Sequence, residues 1–326
     1  MTPFAIAGMQ LHITAVQENL SHMKHQLDLL MLRFPWVQMV MFSELAPFGP
    51  LQSNAGSFER TEEVMSGWAR HHGIWLLSGS MFEGTLDGKV YNTTSVFNPQ
   101  GEVVGRHRKL FPFCPYEQDT APGTEFLVFD VPEVGRFGVS ICYDIWFPET
   151  TRTLTSMGAE VLLHPVLTGT LDREVEISIA RATAAMFQCY VFDINGIGAG
   201  GVGRSAVFDP SGAQIHQAAG QEEYIPLEID LDQVRRQREV GLKGLGQPLK
   251  SFRDRAVEFD VYRRDWTQSQ YLATLGPLEI PKRGSRAGLN RQGDTSDAQG
   301  SGASDALSEN DAPSTVGATL KTVGGF

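Results

Sequence analysis

One cysteine in this chain lies where a side chain can act as a nucleophile. The apolar run Phe137-Gly138-Val139-Ser140-Ile141 reads as a short buried strand, and Pro148 with the alternating pattern after it reads as the start of a helix. Cys142 therefore sits at a strand-to-helix junction. A thiol leaving such a turn has backbone N–H groups nearby to receive a developing oxyanion, and helix-proximal dipoles favour thiolate. A buried, inert thiol fits the same position, and that is the commoner fate of a lone cysteine.

Other residues that could do chemistry have plainer readings. His71 and His72 form a pair at a helix end without a partner at metal-ligand spacing. The run Gly196-Ile197-Gly198-Ala199-Gly200-Gly201-Val202-Gly203 lacks a following Lys-Ser or Lys-Thr and leads into a strand, so it is expected to be a close-packed or substrate-adjacent loop, not a phosphate cradle. Cys114 is expected to be a small apolar filler.

Gly138 to Glu149, with Cys142-Tyr143-Asp144 at its centre, resembles the nucleophile motif of the nitrilase, or carbon-nitrogen hydrolase, superfamily. Members pair such a cysteine with an upstream lysine and a further upstream glutamate. Matching residues stand in the same chain order. Glu44 ends the apolar run Val40-Met41-Phe42 just before Pro47, Lys109 closes Arg106-His107-Arg108-Lys109, and Glu117 in Pro115-Tyr116-Glu117-Gln118 resembles the auxiliary glutamate. Taken singly, each has a bland alternative: Glu44 and Glu117 as solvated carboxylates, Lys109 as one member of a basic run.

The resemblance spans about residues 4–262. It implies a four-layer α-β-β-α sandwich of two mixed sheets with pseudo-twofold symmetry, a homodimer or higher homo-oligomer, and hydrolysis without metal or cofactor. In that scheme Cys142 attacks an amide carbon and splits the reaction into acylation and deacylation. Glu44 takes the thiol proton, hands it to leaving ammonia and then activates water. Lys109 meets the oxyanion with the N–H of Tyr143, and Glu117 orients Lys109 or the substrate amide. Tyr143, Trp146, Tyr116 and His164 are the expected substrate-binding residues.

Departures from the family pattern bear on substrate. Many amidase-like members carry arginine where this chain has Trp146, so a carboxylate-binding cation is missing there. Met186 and Phe187 likewise replace a polar pair. Typical nitrilases read Cys-Trp-Glu, and Cys142-Tyr143-Asp144 points instead to amidases and carbamoyl hydrolases acting on a small uncharged compound. A nitrilase, or a non-catalytic binding or assembly protein on the same scaffold, are the competing readings.

These residues need a scaffold. The chain has 326 residues, enough for one large domain or two, and 41% apolar with 20% charged residues describes a globular protein. A net charge of −11 argues against a general nucleic-acid binder. An odd count of three cysteines suggests a reducing compartment, and no long apolar stretch predicts a membrane span, so the cytoplasm is the expected location.

Strand-like and helix-like periods alternate from Phe4 onward, opening with a β-α-β unit over residues 4–42. A single hydrolase domain is expected over residues 1–262, followed by a C-terminal extension at 263–283, placed at a subunit interface. Residues 284–326, rich in Gly, Ser, Ala and Asp, are expected to form a flexible tail.

Overall fold

The computed structural model describes residues 1–263 and 270–281. Met1–Glu279 form a compact unit, and the expected tail at residues 284–326 lies outside the described residues.

Two large mixed sheets form the scaffold. The first is built from β1 (Pro3–Gln10), β2 (Met39–Phe42), β3 (Trp75–Leu77), β4 (Met81–Gly84), β5 (Val90–Phe97) and β6 (Val103–Arg108), together with β15 (Glu223–Asp230), in the order β15-β1-β2-β3-β5-β4 with β6 also on β5. The second takes β7 (Leu127–Val131), β8 (Gly135–Val139), β9 (Val161–Val166), β10 (Tyr190–Asn195), β13 (Ala206–Phe208) and β14 (Gln214–Gln217), in the order β14-β13-β10-β9-β8-β7. Between β10 and β13 the glycine run folds into a small hairpin, β11 (Ile197–Gly198) with β12 (Gly201–Val202). It is close-packed: a Cβ on Gly201 would lie 2.2 Å from Gly196 O.

The two-residue repeat of the strands decides the layers. In β1, Phe4 and Ile6 face the other sheet while Ala7 and Met9 face helices; in β9, Val161 and Leu163 face inward and Leu162 outward. The inner layer joins Phe4, Met41, Val96, Phe137, Leu163 and Phe192. Helices α1 (Leu20–Arg33) and α2 (Phe58–His72) cover the first sheet through Met23, Leu27, Leu30, Met65 and Trp68. Helices α3 (Pro148–Ser156) and α4 (Arg173–Phe187) cover the second through Leu154, Ile177, Ala180, Ala184 and Phe187. The α-β-β-α sandwich expected from the sequence is the observed architecture.

Differences from the sequence reading have local causes. Helix α2 starts at Phe58, because the Ser57 side chain accepts from Arg60 N and caps it there. Strands β4 and β7 were not expected; both are sheet edges with mixed burial, which leaves little apolar alternation to read. Beyond β15, α5 (Leu231–Val240) and α6 (Pro248–Arg253) follow. Phe252 then stacks on Phe259, with the guanidinium groups of Arg152 and Arg255 over its ring.

Candidate active site

Glu44, Lys109 and Cys142 all stand just past the ends of strands. Glu44 is two residues beyond β2, Lys109 follows β6 directly, and Cys142 is three residues beyond β8. Strands β1, β2 and β3 run parallel, as do β8, β9 and β10, so the loops past β2, β8 and β9 are at carboxyl ends, the usual place for ligand sites in such sheets.

Each position is fixed by its backbone. Glu44 N donates to Val166 O at 3.2 Å, tying the end of β2 to β9 of the other sheet. The chain can pass there because of Gly79, at φ +73, where a Cβ would lie 2.2 Å from Ser43 O. Lys109 N donates to Asn92 O at 2.8 Å. Cys142 opens a short 3-10 turn, Cys142–Trp146, at φ +46, a left-handed conformation rare for a residue with a side chain. Such strain costs roughly 1–3 kcal/mol and persists where the surroundings impose it.

Asp144 imposes it. Its Oδ2 accepts from Ile141 N at 2.9 Å, and its Oδ1 accepts from Leu110 N and Phe111 N, both at 2.9 Å. One carboxylate thus joins the segment after Lys109 to the residue before Cys142.

Lysine and carboxylates meet in the interior. Lys109 Nζ donates to Glu44 Oε1 at 2.9 Å and to Glu117 Oε2 at 3.0 Å. Glu44 Oε1 also accepts from Asn92 Nδ2 at 2.9 Å, and its Oε2 accepts from Leu167 N at 2.9 Å. Glu117 in turn accepts from Phe113 N. Burial works against the Lys109 charge, but Glu44, Cys142 and Glu117 outweigh it and hold the ammonium well above its ordinary pKa. Burial raises Glu44, partly offset by Lys109. Burial and the neighbouring Glu44 push the Cys142 thiol well up, against the pull of Lys109. A thiol held neutral in this way needs a base to ionise it as it attacks.

These groups line one cavity of about 160 Å³, room for a small organic molecule. Larger open clefts exist, such as the one of about 380 Å³ between Glu62, Glu83, Arg106 and Arg108, but no thiol lines it. Tyr143 and Trp146 form one wall of the site cavity, their rings 5.8 Å apart, and Phe113 packs edge-on to Tyr143.

Two expected substrate-binding residues are elsewhere. Tyr116 is 63% exposed and stacks on the outside of Phe113 without lining the cavity. His164 is fully buried: the strand repeat of β9 turns it with Leu162 to the helix-covered face, where Nδ1 faces Ser140 Oγ at 2.8 Å. The expected substrate contact of His164 is therefore corrected to a place in the interior.

The sequence reading missed Asn92, Thr168 and Glu176. Thr168 Oγ1 and Glu176 Oε1 each lie 3.9 Å from Cys142 Sγ. A signal for Glu176 existed. Arg173, Glu176, Ala180, Thr183 and Phe187 fall on one stripe of α4, so two charged residues occupy core positions of the helix.

The profile of the carbon-nitrogen hydrolase family matches residues 5–239. Omega-amidase NIT2-A of Xenopus laevis is 34% identical over 201 residues, 54% of this chain and 69% of that one. Omega-amidase NIT2 of Danio rerio is 30% identical over 266 residues, 71% of this chain and 90% of that one. A crystal structure of a carbon-nitrogen hydrolase from Helicobacter pylori G27 superposes with TM-score 0.71 at 24% identity, covering 81% of this chain and 99% of its own.

Proposed function

The chain belongs to the carbon-nitrogen hydrolase family, and from that premise we propose that it hydrolyses the C–N bond of a small amide or carbamoyl compound through a thioester on Cys142, releasing acid and ammonia. It is a hydrolase of carbon-nitrogen bonds other than peptide bonds. The observation that carries the assignment of residues is the bonding of Lys109 to both Glu44 and Glu117 in the cavity that holds the Cys142 thiol.

Glu44 takes the thiol proton as Sγ attacks the carbonyl carbon. The electron pair moves onto the carbonyl oxygen, where Lys109 Nζ and the Tyr143 N–H stabilise it. Collapse of the tetrahedral adduct expels the amine, which leaves as ammonia with the proton from Glu44. Water, activated by Glu44, then cleaves the thioester and restores the thiol. Glu117 holds Lys109 in place.

The amidase names of the relatives support an amide substrate over a nitrile. The complete set of nucleophile, base and cation counts against a non-catalytic scaffold. The absence of a cation at Trp146 supports a substrate without a carboxylate. Ammonia release from a panel of amides, ureas and nitriles by wild type and Cys142→Ala tests the reading; equal release by both proteins overturns it.

The enzyme is further proposed to be cytoplasmic and at least dimeric, with the region after α6 at the interface. Phe259 and Tyr262 remain 40% and 46% exposed in the single chain, which supports a partner there. Among the described residues no helix is long and apolar enough to cross a membrane. A monomer by light scattering at micromolar concentration would refute the dimer.

A further inference from the structure

Glu176 takes no part in the hydrolysis by Glu44, Lys109 and Cys142, yet it touches the nucleophile. Its Oε1 lies 3.9 Å from Cys142 Sγ, and it lines the cavity with Thr168, Asp172, Tyr143 and Trp146. It enters from α4, an element that supplies none of Glu44, Lys109, Glu117 or Cys142.

The carboxyl is held rigidly. Arg173 NH1 donates to Glu176 Oε2 at 2.8 Å, and the same guanidinium reaches Asp193 on β10 at 3.0 Å, with both arginine and glutamate almost wholly buried. Arg173 is thus engaged by two carboxylates and by Arg204 O, and it does not line the cavity. The cation that does, Lys109, is engaged by Glu44 and Glu117.

An incoming acyl group thus meets an acceptor-rich surface beside the thiol. A carboxylate there would face Glu176 and Asp172 without a cation of its own. An amino or hydroxyl group would find an acceptor already oriented, beside aromatic faces suited to a cation.

We propose that Glu176 determines specificity on the acyl side, selecting small amides that carry a hydrogen-bond donor, amino or hydroxyl, close to the scissile carbonyl and rejecting those that carry a carboxylate there. This rests on the assignment of Cys142 as nucleophile, and it narrows the substrate class of that same site. Burial and the charge of Asp193 lift the Glu176 carboxyl to about 7, so an entering donor meets its ionised form most fully above neutrality. The titratable and charged groups around it are Arg173, Asp193, Asp172, Cys142, Glu44 and Lys109.

Three amides of similar size separate the outcomes at pH 8: β-alaninamide with an amino group, butyramide with a methyl group, and malonamate with a carboxylate. Wild type is expected to favour β-alaninamide over butyramide at least tenfold in kcat/KM, and butyramide over malonamate by a similar factor. Glu176→Gln should reduce both ratios tenfold or more, chiefly through KM, while Glu176→Asp keeps their order. Protection of wild-type Cys142 against iodoacetamide gives the same ranking without a variant, should Glu176→Gln fail to fold. Ratios unchanged in Glu176→Gln, or a wild type that prefers or is best protected by malonamate, overturn the role of Glu176 alone. A wild type that releases ammonia from none of the three, with Cys142 unreactive toward iodoacetamide, overturns the hydrolase assignment beneath it.

Discussion

His107 Nε2 donates to Asp144 Oδ2 across 3.1 Å, with both side chains fully buried, and through this contact the strand that leads into Lys109 is fastened to the turn that begins with Cys142. Asp144 also accepts from the backbone of Ile141, Leu110 and Phe111. Asp144→Asn keeps the size but turns an N–H₂ toward donors. Each buried donor left without an acceptor costs about 1–3 kcal/mol. The variant is expected to lose about 2–4 kcal/mol in urea unfolding, and kcat should fall by ~10-fold or more as the 142–146 turn loosens. Unchanged kcat in a folded variant would remove Asp144 from the positioning of the site.

Cys142→Ala should abolish turnover while the fold survives. The substitution removes the nucleophile, and alanine can occupy the same small space without new polar groups. Retention of more than about a thousandth of the wild-type rate would sink the nucleophile assignment.

Lys109→Gln and Glu44→Gln should fail differently. In the proposed mechanism the lysine charge meets an oxyanion formed only near the transition state, so its loss should lower kcat by ~10² or more and affect KM less. Loss of Glu44 removes the proton acceptor for a thiol that burial holds neutral. Glu44→Gln is therefore expected to stall even in acylation. Stopped-flow with an activated ester, whose leaving group needs no proton, decides the point: acylation at the wild-type rate would confine Glu44 to later proton transfer.

The folded-state pKa of Glu176, about 7 against an ordinary 4.5, gives stability a pH dependence. An acid raised on folding binds its proton more tightly in the native state. Its contribution is therefore fully present below pH ~4.5 and lost as pH rises through ~7. Relative to Glu176→Gln, which cannot titrate there, wild type should lose on the order of 1–3 kcal/mol between these limits. Chemical denaturation of both proteins across pH 4.5–8 checks this, and a constant difference would contradict it.

Cys142 stood out by its place at the end of an apolar run, whereas Glu44 and Lys109, bland when taken singly, stood out through the resemblance of their order along the chain to the hydrolase family; the structure brings all three to one cavity. Periodicity marked many of the strands and helices, and the resemblance to the family implied their arrangement as two mixed sheets under helices. Glu176 was not legible as a site residue, because what matters is that the cavity lies over the first turn of α4, which depends on how α4 settles on β9 and β10. Asn92 was hidden similarly: its contact with Glu44 is made across 48 positions of sequence. For His164 the error was one of direction. The strand was recognised, but which face each residue presents depends on which side the helices cover.

Glu44 and Lys109 are carried by the first sheet, Cys142 and Thr168 by the second, and the bonds from Glu44 to Val166 O and Leu167 N cross between them. The alignment of the Glu44 carboxylate with the Cys142 thiol is consequently a measure of how the two sheets sit on each other. Repacking of Phe4, Phe129 and Phe137, whose rings meet 5.5 Å apart in the inner layer, would slide one half of the site past the other. Adaptation to cold or heat in such an enzyme can therefore act through residues that no substrate ever touches.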